Sequence, residues 1–236
     1  MYMDETWVNQ NHCTYYMWLP NDGSDAPKIP SGKGKRLFVL HAGTRSEGLI
    51  DGCDLVFLAK SKDGDYHQEM NSFIFLESFE NQLMPALKNP SLAVLDNASY
   101  HNVKTDDTVC PNLVRKKLFS KTILHNTTFL FLLLIPNKVL YEKIKQKKTP
   151  VVYKTDKIVN LHGHEVLRTT VRHCGLNPIE LIWAQVKGFV AKNNTTFRLK
   201  DAKELTYAAF GKITKDVWTK AEEYVVKIEK EYCKTV

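Results

Sequence analysis

The stretch Leu92-Ala93-Val94-Leu95-Asp96-Asn97 decides the fold. It is a short, continuous apolar run that is bounded by Pro90 on one side and by a polar pair on the other. Such a run is typical of a β-strand that is buried on both faces, as in the middle of a mixed sheet. We therefore predict a central strand over residues 92–95, with the Asp96 side chain emerging where that strand ends.

The other predicted elements run in the order strands, then alternating strand and helix, then helices. Besides residues 92–95, strands are predicted at Met1–Val8, Cys13–Leu19, Arg36–His41, Asp54–Ala59 and Glu165–Leu167, and helices at Glu69–Lys88, from Asn177 onward, at Lys200–Lys212 and at Lys215–Tyr232. Asn9-Gln10-Asn11, between the first two strands, is a hairpin signal. This order of elements predicts a layered α/β domain with a mixed sheet.

The composition is that of an intracellular globular protein. The chain has 236 residues, of which 43% are hydrophobic, enough for one substantial core. Its longest apolar run, Phe129–Ile135, is much shorter than the roughly 18 residues of a membrane helix, and the first residues do not resemble a signal peptide. We therefore expect no membrane association. An odd number of scattered cysteines without a C-x-x-C pair predicts reduced thiols at Cys13, Cys53, Cys110, Cys174 and Cys233.

A basic segment accounts for the whole net charge of the chain. Between Arg115 and Lys148, nine basic residues accompany a single acid, so the segment nets +8 where the whole chain nets +7. Concentrated positive charge attracts the phosphates of nucleic acids. A solvated loop whose lysines maintain solubility has the same composition. Charge alone therefore leaves both interpretations open.

Three acids are candidates for a metal site. Asp4 belongs to the first predicted strand, Asp96 ends the central strand, and Glu180 lies in the first turn of the helix that Asn177-Pro178 opens. Carboxylates from separate elements suit Mg²⁺ or Mn²⁺. Two such ions can activate an attacking hydroxyl and stabilise the leaving oxygen of a phosphoryl transfer.

Each of these residues also has a structural alternative. Asp96 alone fits the first position of a turn, and Asp4 near the terminus fits a solvated surface. Glu180 fits a capping box three residues after Asn177, a role that does not exclude metal ligation. Lys187 lies about two helical turns beyond Glu180 on the same face, where it is either an exposed lysine or a contact to a phosphate.

Three segments resemble the three acidic motifs of mariner-type transposases in the DDE superfamily. They read Tyr2-Met-Asp-Glu-Thr-Trp-Val-Asn9, Asp96-Asn-Ala-Ser-Tyr-His101 and Asn177-Pro-Ile-Glu-Leu-Ile-Trp183. Further segments that resemble the family are Pro30–Leu37, Leu40–Gly43, Gly64–Asn71 and Trp183–Ala191. The resemblance covers roughly residues 1–104 and 160–236.

The resemblance implies a ribonuclease-H-like fold, with a mixed five-stranded sheet flanked by helices. It implies a single catalytic domain over residues 1–236, with a divergent basic insertion at about 105–150. Asp4 on the first strand, Asp96 at the end of the fourth and Glu180 on the helix after the fifth are the implied catalytic residues. They are also the implied ligands of two Mg²⁺ or Mn²⁺ ions.

The family cuts DNA at the ends of its own element and joins the freed 3′-hydroxyl to target DNA. The implied partner is therefore DNA, both transposon ends and target, the implied location is the nucleus and the implied assembly is a homodimer. His101 matches the family's second motif and is expected near the site, although a core or surface histidine is the alternative. The expected contacts to DNA are His101, Lys187, Arg115, Lys116 and Lys117.

Departures from the family pattern leave other functions open. Thr169-Thr-Val-Arg172 stands where the family has Leu-Pro-Pro-Tyr, which removes the φ restraint of two prolines. Because the chain begins three residues before Asp4, we expect the N-terminal helix-turn-helix modules to be missing. A transposon-derived, catalytically inactive DNA-binding protein is the alternative function. An interaction protein is a third hypothesis, based on the apolar stripe of Lys215–Tyr232, a pattern also typical of a helix packed on its own core.

Overall fold

The computed structural model describes residues 1–14, 21, 28–59, 70–105, 151–169 and 173–234. The chain divides into two units, one formed by Met1–His101 with Ile158–Val236 and the other by Asn102–Lys157. In the second unit, Lys104 and Tyr153 form an antiparallel bridge. The sheet and every candidate site residue that the structure describes belong to the first unit.

The first unit is built on a mixed sheet. Its strands are β1 (Tyr2–Asn9), β2 (Arg36–Thr44), β3 (Gly48–Leu49), β4 (Leu55–Leu58), β5 (Leu92–Leu95) and β6 (Glu165–Arg168). β1 runs antiparallel to β2 and parallel to β5, and β5 runs parallel to β6. β3 and β4 both pair with β2, along the edge opposite β1, so the six strands form a sheet five strands wide. The predicted α/β fold, a mixed sheet flanked by helices, is confirmed, and the sheet has six described strands where five were predicted.

The pairing of β1 differs from the predicted hairpin. Asn9-Gln10-Asn11 does form a turn, in which the His12 N–H donates to the Asn9 carbonyl. The partner strand is nevertheless β2, and residues 15–20 of the expected partner lie outside the described residues. β2 is covered over nearly its whole length, so its pairing with β1 lies in the interior of the domain.

The helices flank this sheet. They are α1 (Ser72–Ser78), continued by a π-helical turn (Phe79–Leu83) and by α2 (Met84–Ala86), then α3 (Lys154–Leu161), α4 (Ile179–Asn193), α5 (Leu199–Phe210) and α6 (Lys215–Lys234). α1 begins later than predicted because Asn71 caps it: the Asn71 side chain accepts the N–H groups of Phe73 and Ile74, at 3.0 and 2.9 Å. None of the helices that the structure describes combines the length and apolarity that a membrane crossing needs.

The two faces of the sheet carry separate apolar cores. Successive residues of a strand point to opposite faces, so Met3 and Val8 of β1 lie in different cores. One core contains Met3, Phe38, Leu40, Phe75 and Phe79, together with other residues from the helices around α1. The other contains Val8, Leu37, Val39, Trp183 and Trp218, together with other residues of α4, α5 and α6. Asp4 therefore belongs to the α4 face of β1, and its neighbour Glu5 to the α1 face.

The apolar stripe of α6 is divided between core and surface. Ala221 is buried in the core on the α4 face and Val225 is buried as well, as expected of a helix packed on its own core, whereas Tyr224 and Tyr232 are 55% and 50% exposed. Cys13, Cys53 and Cys233 are free thiols, in agreement with the prediction for these three positions.

Candidate metal centre

Asp4 lies near the middle of the sheet, where β1 faces the start of α4. The indole N–H of Trp183, a buried residue of α4, donates to Asp4 Oδ2 at 3.1 Å. Burial raises the pKa of Asp4 from 3.8 to about 8, and the negative charges of Glu5, Glu180 and Asp96 add to this increase. Without a cation, Asp4 is thus a carboxyl group that resists ionisation.

Asp96 follows directly on β5 and lies level with Asp4. Tyr2 and Val94 are partners in the parallel pair of β1 and β5, so residues two positions further along each strand occupy matching heights. The Asp96 side chain is 47% exposed. Its Oδ1 accepts the Ala98 N–H at 2.9 Å, which is the turn that was the structural alternative for this residue. The turn role and a place beside Asp4 therefore occur together.

Glu5 is a third acid at this position, and it was not among the predicted site residues. Ligand atoms of Asp4, Glu5 and Asp96 all lie within 4.8 Å of one another, although Asp4 and Glu5 start from opposite faces of β1. The motif that carries Asp4 contains Glu5 as well. Because side chains alternate along a strand, Glu5 leaves β1 on the face opposite Asp4. The contacts in the folded chain show that its carboxylate nevertheless lies close to those of Asp4 and Asp96.

His101 joins two of these acids. Its Nε2 lies 2.9 Å from Glu5 Oε1, and its Nδ1 lies 2.5 Å from Asp96 Oδ1. Burial lowers the pKa of His101, but the charges and hydrogen bonds of Glu5 and Asp96 outweigh it and raise the pKa to about 10. Conversely, although burial alone would raise the pKa of Asp96, its hydrogen bond to the positive His101 ring lowers it.

The surroundings of His101 change its assignment. The residue has 0% of its surface exposed, and its ring packs against Phe75 and Tyr100 with centroid distances of 4.3 and 4.7 Å. A side chain so enclosed has no surface to offer a phosphate. We therefore reassign His101 from the expected contact with DNA to a contact within the carboxylate cluster.

Glu180 lies in the first turn of α4, as predicted, but outside the close group of three acids. Its side chain is exposed. The pKa of Glu180 is raised, mainly by partial burial. The charge of Lys187 opposes this increase, and the charge of Asp96 adds to it. The carboxylate of Glu180 is therefore close enough to Asp96 for their negative charges to repel each other. Asn177 caps α4 through its side chain, which accepts the Ile179 N–H at 3.4 Å.

Lys187 faces the acids along α4. Burial lowers its pKa, while the charges of Glu180 and Asp4 raise it. Burial lowers the pKa of His12, which lies beyond the end of β1, and the charge of Lys187 lowers it further. The side chain is thus a partly buried cation between the acidic group and the far end of β1, which differs from the alternative of a freely exposed lysine. The predicted basic contacts Arg115, Lys116 and Lys117 lie outside the described residues, as do residues 170–172 of the divergent loop.

The donor set fits a divalent cation. Carboxylate oxygens are the ligands that Mg²⁺ and Mn²⁺ prefer. His101 offsets the charge of Glu5 on one side of the group, whereas the hydrogen-bond donors to Asp4 are neutral, the Trp183 indole and the Glu5 backbone N–H. A cation among these oxygens would offset the burial and the repulsion that raise the pKa of Asp4.

Comparison with known proteins shows a likeness in fold. No family model matches the sequence, and no curated protein matches it. The fold is similar to the crystal structure of the Mos1 mariner paired end complex with Mn, with a TM-score of 0.50 and 12% sequence identity. The match covers 96% of this chain and 53% of that chain, so this chain spans about half the length of the protein it resembles. At this identity the likeness shows the fold alone.

Proposed function

We propose that this chain is the catalytic domain of a DDE-type DNA transposase, which cleaves DNA and transfers strands by metal-dependent phosphoryl transfer. The observation that carries this proposal is the meeting of Asp4 and Asp96 at two neighbouring parallel strands beside the Glu180 helix. The sequence motifs and the likeness to a mariner complex that holds Mn support the same function.

In this proposal Asp4, Asp96 and Glu180 hold two Mg²⁺ or Mn²⁺ ions. When bound, such ions activate the attacking oxygen and stabilise the leaving oxygen of an in-line displacement. The Trp183 N–H keeps one oxygen of Asp4 directed toward α4. Because the pKa of Asp4 is about 8, this carboxyl holds a proton at neutral pH in the metal-free protein and releases it when a cation binds.

Lys187 is placed to contact a phosphate of the DNA backbone. It lies on the same side of α4 as Glu180, and the negative charges of Glu180 and Asp4 attract it. A cation so close to metal-binding carboxylates can neutralise a phosphate that approaches them. We extend the proposal to DNA as the partner, including transposon ends and target, to a homodimer as the assembly and to the nucleus as the location.

The test is nicking of a supercoiled plasmid in the presence of Mn²⁺ or Mg²⁺. We expect the wild-type chain to nick the plasmid, and Asp96→Ala and Asp4→Asn to reduce nicking to the level of buffer with metal alone. Asp216→Asn is the matched control, because Asp216 is an exposed acid at the start of α6. Equal nicking by wild type and both site variants would contradict the proposed site.

A catalytically inactive DNA-binding protein is the second candidate. The observation that favours it is the position of Glu180 outside the close group of carboxylates. In this case the plasmid would remain intact with either metal, while the chain would still retard DNA in a gel at low salt. Metal-dependent nicking that requires Asp96 would eliminate this candidate.

A further inference from the structure

We propose that Glu5 and His101 form a buried positioning pair that fixes the Asp96 carboxylate for metal binding. This inference rests on the proposed metal site and deepens it. Neither residue is offered as a metal ligand or as a contact to substrate. Their role is to hold one oxygen of Asp96 in place through the His101 ring.

The contacts of Asp96 involve one of its two carboxylate oxygens. Its Oδ1 lies 2.5 Å from the His101 Nδ1 in an ion pair and accepts the Ala98 N–H at 2.9 Å. Those two contacts use one oxygen and leave Oδ2 for a ligand. Since the Asp96 side chain is about half exposed, these contacts, rather than packing, determine its orientation.

The His101 ring is held rigidly. Carboxylates are bound at both of its nitrogens, and Phe75 and Tyr100 pack against the ring itself. Glu5 is held as firmly, because its side chain is only 6% exposed and lies on the regular strand β1. The chain of contacts therefore runs from the sheet, through a fixed ring, to a carboxylate at the surface of the site.

The buried ion pair between Glu5 and His101 is not explained by the stability of the fold. A buried carboxylate with a buried imidazolium contributes little net stability, and an apolar pair of similar volume would often serve the fold as well. The Glu5–His101 pair differs from such a pair because its outer end contacts Asp96 rather than a further core residue. Partners behind a metal ligand orient it, and their removal typically weakens metal affinity about 10–100-fold.

The competing interpretation is that Glu5 itself binds the metal. Its ligand atoms lie within 4.8 Å of those of Asp4 and Asp96, which permits this role. The two interpretations predict different couplings. If Glu5 acts only through His101, replacing Glu5 has no further effect once His101 is gone. A direct ligand would lose affinity in either background.

The experiment measures Mn²⁺ binding to the full chain by isothermal titration calorimetry. The proteins are wild type, Glu5→Gln, His101→Asn and the double variant. We expect each single variant and the double variant to bind Mn²⁺ about 10–100-fold more weakly than wild type, with the double no weaker than the weaker single. His164→Asn is the control, because His164 is also buried, at 6% exposure, but lies beside Ser91, at the opposite end of β5 from Asp96.

Other affinities would refute either the positioning role of Glu5 and His101 or the metal site itself. Wild-type affinity in Glu5→Gln and His101→Asn would refute the positioning role, and additive losses in the double variant would make Glu5 a direct ligand instead. Failure of wild type itself to bind Mn²⁺ would refute the proposed metal site. If thermal melts show that the single variants are unfolded, the Mn²⁺ affinity of the double variant tests the positioning role. The double variant should fold, because it leaves no unpaired buried charge. Wild-type affinity in the double variant would then refute the inference.

Discussion

At the residue scale, Asp4 links the stability of the fold to pH. Its pKa is about 8 in the folded chain and 3.8 in an ordinary exposed aspartate. The unfolded chain therefore releases this proton at lower pH than the folded chain does. As a result, Asp4 makes the metal-free protein less stable as the pH rises from about 4 to about 8.

Replacing Asp4 should therefore stabilise the metal-free protein. Asp4→Asn keeps an oxygen that can accept the Trp183 N–H and removes the charge. We expect the free energy of unfolding at pH 8 to rise by on the order of 5 kcal/mol, with little change at pH 4. Thermal melts in a chelating buffer at both pH values measure this. Asp216→Asn should leave both melts nearly unchanged, and a lower midpoint for Asp4→Asn at pH 8 would contradict the prediction.

The sequence predicted the acids of the site better than their supporting contacts. Asp4 and Asp96 come together because two strands with recognisable apolar patterns are neighbours. Glu5 was missed because strand alternation assigns it to the other face, and the bridge through His101 depends on a turn after β5 that no periodicity specifies. The burial of His101 was hidden for the same reason.

At the scale of elements, the contact between β2 and α6 depends on a glycine. A Cβ added to Gly43 would lie 2.2 Å from the Trp218 ring, and Trp218 is fully buried. Neither the ring nor the strand can move without disturbing the core on the α4 face. Gly43 is thus required by close approach and not by an unusual backbone angle.

Gly43→Ala should accordingly destabilise the protein. We expect the free energy of unfolding in urea to fall by about 1–3 kcal/mol, because overpacking forces side chains out of their preferred rotamers. Gly188→Ala is the matched control, since a Cβ at this position of α4 meets nothing within 4 Å. That variant should gain up to about 1 kcal/mol through helix propensity. Equal stability of the two variants would show that Trp218 moves aside easily.

Elements with strong local patterns were predicted well. β5 matches the predicted residues, and α5 and α6 agree with prediction to within two residues at each end. The predicted pairing of β1 with residues 13–19 stays a prediction, because residues 15–20 lie outside the described part of the chain, while the pairing with β2 was not predicted. The two-residue β3 carries too few residues for any pattern and was not predicted.

At the scale of the whole molecule, the excess of positive charge should govern DNA binding. The net charge of +7 resides largely in the segment 115–148, whose structure lies outside the described residues. We expect steep salt dependence and little sequence preference, because phosphate contacts carry no sequence information.

Fluorescence anisotropy with a labelled duplex measures this at several salt concentrations. Lys187→Gln should reduce the slope of log affinity against log salt by about one, the amount expected for one phosphate contact. Lys192→Gln is the control, because Lys192 is an exposed lysine in the last turn of the same helix. Equal slopes for the two variants would remove Lys187 from the DNA surface.

The hydrogen bond between Trp183 and Asp4 also makes the centre visible to light. An indole is a fluorophore whose emission depends on the charge beside its N–H, and this one donates directly to a carboxylate of the cluster. Because Trp183 is buried, bulk solvent contributes little to changes in its emission. The protein therefore contains its own optical reporter of whether that carboxylate is protonated, ionised or neutralised by a cation.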